Sequence, residues 1–204
     1  NKIKVVKNEG VWDFLKKTTV CFFAFISGGT NVFNIFSPFG ASFCTLFFGD
    51  GITYIFMTFL AVCGRFLMGN NLFNIKYIIW AVLSSLINIV IHKSDIKISM
   101  WQKSFCTAIS IFSAGIVVSA FYGFSNYIII TSFIESVAVF VFSGIMLKGF
   151  NTIKESPKRK ILSPEETVSF LIVAGVCIVS LGEFSIWDIN MKTALCVFVS
   201  ILGG

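Results

Sequence analysis

The chain reads as a polytopic, all-α transmembrane bundle of about eight hydrophobic segments, and three observations predict it. Of 204 residues, 56% are hydrophobic and 13% charged, with a mean hydropathy of +0.88; soluble domains carry about 45–50% apolar and about 25% charged residues. Apolar runs approaching the roughly 20 residues that a helix needs to cross a bilayer recur along the whole chain, so a single cleavable leader does not account for them. Thirteen of the sixteen Lys and Arg lie in three short segments, 1–17, 92–103 and 148–163. One membrane domain over 18–204, led by an interfacial segment 1–17, satisfies all three.

Residues 1–17 mix Lys2, Lys4, Lys7, Lys16 and Lys17 with Val11, Trp12, Phe14 and Leu15, the pattern of a short helix lying in the headgroup region. The first span is expected over 18–36, and Ser37-Pro38-Phe39-Gly40 breaks it, because Pro lacks the backbone donor and clashes with the preceding turn. A short apolar segment, 39–49, follows. It is about 16 Å long as a helix, roughly half a bilayer. Gly49-Asp50-Gly51 turns the chain into a third segment, 52–68. Residues 39–68 are therefore expected to form a short or re-entrant hairpin. Asp50 then sits at the surface if the short segment spans, and at depth if it re-enters; a turn residue between two glycines is the simpler role for it.

A polar patch from Arg65 to Lys76 leads to a span at 75–91. His92 ends that span beside Lys93, where a solvated interfacial role suits it. The fifth span is expected at 104–122. It carries Gly115, Ser119 and Gly123 at four-residue spacing, a small-residue face for close helix packing. After the uncharged turn Gly123-Phe124-Ser125-Asn126 comes a span at 127–147 containing Glu135. The long polar stretch 148–167 follows. Ser163-Pro164-Glu165-Glu166 then has the composition of a capping box with Pro at the first helical position, opening a span at 164–181. Beyond the loop 182–190, an eighth span starts near Met191. The chain stops at Ile201-Leu202-Gly203-Gly204 without a polar flank, from which further protein is expected.

Lys and Arg are retained on the cytoplasmic side of short loops. With the amino terminus inside, the three basic segments fall inside and the cation-poor loops 37–39, 123–126 and 182–190 fall outside, provided that 39–68 is a hairpin. Arg65 and Lys76 are left on the outer side against the rule.

The net charge of +6 is thereby explained by topology. Nucleic acid is excluded as a partner, since no basic face is interleaved with exposed aromatics. The six cysteines all lie inside apolar runs without CxxC spacing, and His92 is the single histidine, so the sequence holds no metal-ligating set and the thiols read as space-fillers. No GxSxG, HExxH, P-loop or GxGxxG is present, and residues 1–204 offer no catalytic site. Glu135 remains, an acidic residue deep in a long span and so a functional candidate by default. Composition gives Arg65 as its partner. The pair is either a proton or cation relay or a structural contact.

Three sets of residues resemble a known family. Ser37-Pro38-Phe39-Gly40-Ala41-Ser42-Phe43 resembles the junction after the first span of stage II sporulation protein E. Gly64-Arg65 fits the same family. So does Leu162-Ser163-Pro164-Glu165-Glu166 with the later Leu181-Gly182 and Phe184-Ser185-Ile186. The resemblance implies the amino-terminal part of a ten-span module that anchors and self-associates at the polar division septum. It also implies regions outside this chain: one engaging the tubulin-like division protein, and a PP2C-type serine phosphatase. With manganese or magnesium, that phosphatase dephosphorylates an anti-anti-sigma factor and so activates the forespore sigma factor. The metal-binding aspartates would lie past Gly204. The rival expectation is a small transporter or channel using Glu135 and Arg65; a membrane-embedded enzyme lacks the clustered side chains it would need.

Overall fold

The computed structural model describes residues 9–31, 36–68, 74–94 and 98–155, with isolated positions at 164, 167–168, 175, 185–186 and 189–190. The architecture is helical. Helix α1 covers Glu9–Gly29 and α2 covers Pro38–Cys44, extended by a 3₁₀ turn at Thr45–Phe47. Then come α3 (Gly51–Met68), α4 (Asn74–Lys93), α5 (Met100–Phe121) and α6 (Asn126–Glu155). Two-residue strands, β1 (Ser185–Ile186) and β2 (Ile189–Asn190), pair antiparallel in the 182–190 loop. Helices α3, α4, α5 and residues 126–151 of α6 are each long and apolar enough to cross a membrane, four among the described residues.

The helices are inside-out relative to a soluble bundle. On α4, Ile78, Val82, Leu86 and Val90 face outward at four-residue spacing, while Lys76, Tyr77, Trp80, Ser84 and Asn88 are buried. On α6, Ile130, Phe133, Ile134, Val137 and Val141 are exposed, while Ser132, Glu135, Ser136 and Ser143 are buried. That polarity suits a lipid solvent, where exposed apolar side chains cost nothing and polar groups must find partners within the protein.

Helix α5 packs along α6 and α1 along α3, with α4 against α3 and α5, and α2 wedged against α6, α1 and α3. Glycines set the α1–α3 approach. A Cβ on Gly28 would overlap the main chain of Ala61, and one on Gly64 would overlap the Phe25 carbonyl. Ser99 caps α5 in a reciprocal box with Gln102.

Several boundaries differ from those expected. The first segment does not run as one helix to residue 36: α1 stops at Gly29, and Ser37 Oγ donates toward the carbonyls of Thr30 (2.6 Å) and Gly28 (3.0 Å), which closes the chain back on itself. Residues 39–68 form two separate helices, α2 and α3, reversed at Gly49–Gly51, as the sequence predicts. The depths are the opposite of a re-entrant tip at Asp50. The Asp50 side chain is exposed, whereas Thr30 and Ser37, which flank the reversal between α1 and α2, are both buried. Helix α6 continues to Glu155, so the first part of the basic stretch is helical. The capping box at 163–166 and the seventh and eighth spans lie outside the described residues, apart from helical positions at Pro164, Thr167, Val168 and Gly175.

One end of the bundle gathers the basic residues. Lys17 lies in a groove with Ile52 and Thr53, His92 Nδ1 is 3.0 Å from the Gly49 carbonyl, and Lys148 lines a groove with Met100 and Trp101. The Gly49–Gly51 turn belongs to this end. Asn88 clamps it from α4: the Gly49 N–H donates to Asn88 Oδ1 at 2.7 Å, and Asn88 Nδ2 donates to the Gly51 carbonyl at 3.2 Å.

Candidate functional site

Three helices, α3, α4 and α6, and the Ser37 main chain converge on one buried charged cluster. Glu135 lies nine residues into α6, about 13 Å along its axis at 1.5 Å per residue, and is fully buried. Its carboxylate accepts from three donors. Lys76 Nζ reaches Oε2 in an ion pair. Tyr77 Oη donates to Oε1 at 2.7 Å, and the Ser37 main-chain N–H donates to the same oxygen at 3.0 Å. That N–H is shared with Tyr77 Oη at 2.9 Å. Lys76 Nζ also bonds Ser132 Oγ at 3.3 Å. A buried carboxylate is held stably only when its lone pairs are filled in this way.

The expected partner of Glu135 was Arg65, and the structure corrects this. Lys76 makes the ion pair. Tyr77 stands between Arg65 and the carboxylate: the Arg65 guanidinium lies over the Tyr77 ring, 4.8 Å from its centroid, a cation–π contact. Lys76 can do this from the first turn of α4 because its four-carbon stem spans the gap to α6 along apolar surface. The structure also removes both charges from the loop in which parity had left them. Arg65 and Lys76 are 1% and 7% exposed, so neither is a loop cation.

Gly115, Ser119 and Gly123 do not act as one face. A Cβ on Gly115 would collide with the Ser132 side chain, so Gly115 lets α5 approach α6 within the chain. Ser119 is buried and its hydroxyl donates to the Ser125 carbonyl at 3.2 Å. Gly123 has φ +74° with open space around it and serves the turn. Four-residue spacing on a helix brought the first two to the α5–α6 contact, while the third lies past the helix end.

Lys76 and Tyr77 as carboxylate partners were missed. The signal was available: positions 76, 80, 84 and 88 carry Lys, Trp, Ser and Asn at helical spacing, a polar stripe on an otherwise apolar helix. A second polar knot, Thr45 Oγ1 with Thr107 Oγ1 and Ser143 Oγ at 3.1 Å each, ties the 3₁₀ turn to α5 and α6. Among the described residues no three His, Cys, Asp or Glu side chains converge as metal ligands, and Cys21, Cys44, Cys63 and Cys106 are free thiols. No protein-family model, curated protein or solved structure matches this chain.

Proposed function

We propose that the chain is the membrane module of a sporulation regulator of the stage II sporulation protein E kind. In this reading it anchors and self-associates at the polar septum. There it holds a cytoplasmic PP2C-type serine phosphatase, dependent on manganese or magnesium, that acts on an anti-anti-sigma factor, and it works alongside the tubulin-like division protein. One observation carries the reading. The two motifs of the resemblance that fall on described residues, Ser37-Pro38-Phe39-Gly40 and Gly64-Arg65, meet at the same buried cluster. Ser37 gives its N–H to Glu135, Gly40 lies where a Cβ would press on Gly28, and Gly64 admits α1 beside Arg65. These residue types are thus explained by a packed, locked core. The gathering of Lys17, His92 and Lys148 at one end supports a cytoplasmic face there.

The test is localisation. A fluorescent fusion of the chain, expressed in a spore-forming bacterium entering sporulation, is expected to concentrate at the polar septum. Even distribution around the cell membrane overturns the reading.

The transporter reading has one specific observation in its favour: α1 stops beside a buried Glu–Lys–Arg cluster, as broken helices do at transporter ion sites. Replacing Lys76 and Glu135 together by Met and Gln distinguishes the two. A scaffold keeps its localisation; a transporter loses solute or proton flux in proteoliposomes.

A further inference from the structure

The basic end of the bundle carries a groove that the charged cluster does not use. It lies between the start of α5 and the second half of α6, and its volume is about 890 Å³. Trp101, Phe140, Val141, Gly144 and Ile145 are among its lining residues, and Lys148 is the one charged side chain among the described residues that line it. The walls are aromatic. The Trp101 and Phe140 ring centroids are 5.9 Å apart, and Phe105 packs edge-on to Phe140 at 6.5 Å. Gly144 keeps the floor low: within 4 Å a Cβ there would meet only the Trp101 ring, at 3.7 Å.

The groove has the length and polarity of one membrane leaflet. Lys148 follows Phe140 by eight residues on α6, about 12 Å at 1.5 Å per residue, against about 15 Å for the hydrocarbon of one leaflet. The apolar stretch therefore lies at the depth of acyl chains, and the charge lies at headgroup level. Asn151 stands at the same end, its amide 3.6 Å from Met100 Sδ. The Trp101 ring, 68% exposed, sits below Lys148 beside Gly144 and Phe140. A second groove at this end, between α1 and α3, likewise has a single charged residue among its described lining, Lys17. The larger volume falls within the about 300–1,000 Å³ of sites that hold small molecules. An apolar trough ending in a cation complements an amphiphile with a negative head, and one lysine at the membrane surface gives about a fivefold preference for anionic lipid.

We propose that the α5–α6 groove seats an anionic phospholipid of the leaflet at the basic end, with an acyl chain against Trp101, Phe140 and Gly144 and the phosphate at Lys148. The site serves an anchor and a transporter alike, so it does not rest on the function proposed above.

The experiment uses Trp101 as its reporter. The purified chain is reconstituted in phosphatidylcholine vesicles, and phosphatidylglycerol or phosphatidylcholine with brominated chains is titrated in, since bromine quenches indole fluorescence on contact. The difference between the parent and Trp101→Phe isolates the Trp101 signal. Brominated phosphatidylglycerol is expected to half-quench it at about a fivefold lower mole fraction than brominated phosphatidylcholine. Lys148→Gln should make the two curves coincide, and Lys148→Arg should keep them apart. Gly144→Leu, which fills the groove beside the ring and keeps the lysine, should also remove the preference. Equal quenching of the parent by both lipids would overturn the proposal, whether or not the variants fold. Absence of quenching by either lipid would mean that protein covers the groove, and would overturn it too. So would a preference undiminished in Lys148→Gln or in Gly144→Leu.

Discussion

The ammonium of Lys76 rests on the carboxylate of Glu135, 59 residues further along the chain, with both side chains out of contact with solvent. The pair joins the first turn of α4 to the first third of α6. Through the Ser37 N–H it also fixes where the chain reverses between α1 and α2.

Breaking this pair from one side leaves the other charge buried. Glu135→Gln and Lys76→Met should each lower unfolding stability by about 3–5 kcal/mol, while the double variant recovers most of the loss. Unfolding of all four forms in detergent micelles measures it. Losses that simply add in the double variant would show that the two groups do not depend on each other.

Helices α1 and α3 approach through glycine. Gly28→Ala and Gly64→Ala put a methyl onto backbone atoms that cannot swing aside, and each should cost about 3 kcal/mol or more. Gly144→Ala is the control. Its Cβ would meet the Trp101 ring at an ordinary 3.7 Å, and the gain in helix propensity should stabilise by about 0.5–1 kcal/mol. The same unfolding assay ranks the three.

Gly115 stands on the small-residue face read for close helix packing, and in the structure it packs against Ser132 of α6. Gly115→Ala should cost about 1–3 kcal/mol through Ser132, and Ser132→Gly added to it should return much of that loss. Cross-linking of the folded variant should match the parent. Dissociated copies with unchanged stability would restore the small-residue face as an oligomer contact.

Asn88 holds the α2–α3 turn by both its amide groups. Asn88→Leu leaves the Gly49 N–H without its partner and should cost about 1–3 kcal/mol. A cysteine placed at Asp50 should then react faster with a water-soluble maleimide. Asp50→Asn alone should change stability by less than about 0.5 kcal/mol, as for an exposed turn residue; a larger loss would give the carboxylate a role of its own.

Much of the helical frame was legible in the sequence. Helices α3 and α4 match the apolar runs at 52–68 and 75–91 nearly to the residue, because solvation in lipid depends on the length and composition of a run and not on its neighbours. Gly49-Asp50-Gly51 likewise marked a turn by local conformational preference alone. Where the local signal was weak, the reading slipped. The apolar run at 18–36 concealed the end of α1 at Gly29, since a bilayer-compatible composition does not distinguish a helix from a chain reversal inside a bundle. The tertiary structure alone decided which charges meet. Glu135 stood out as expensive from its position in the chain, but its partner depended on how α4 and α6 are rotated about their axes and on how far a lysine stem reaches. It placed Tyr77 between Arg65 and the carboxylate, and so left the guanidinium over a ring and without a hydrogen-bond partner. Pairing at a separation of 59 residues is a property of packing, and no local pattern carries it.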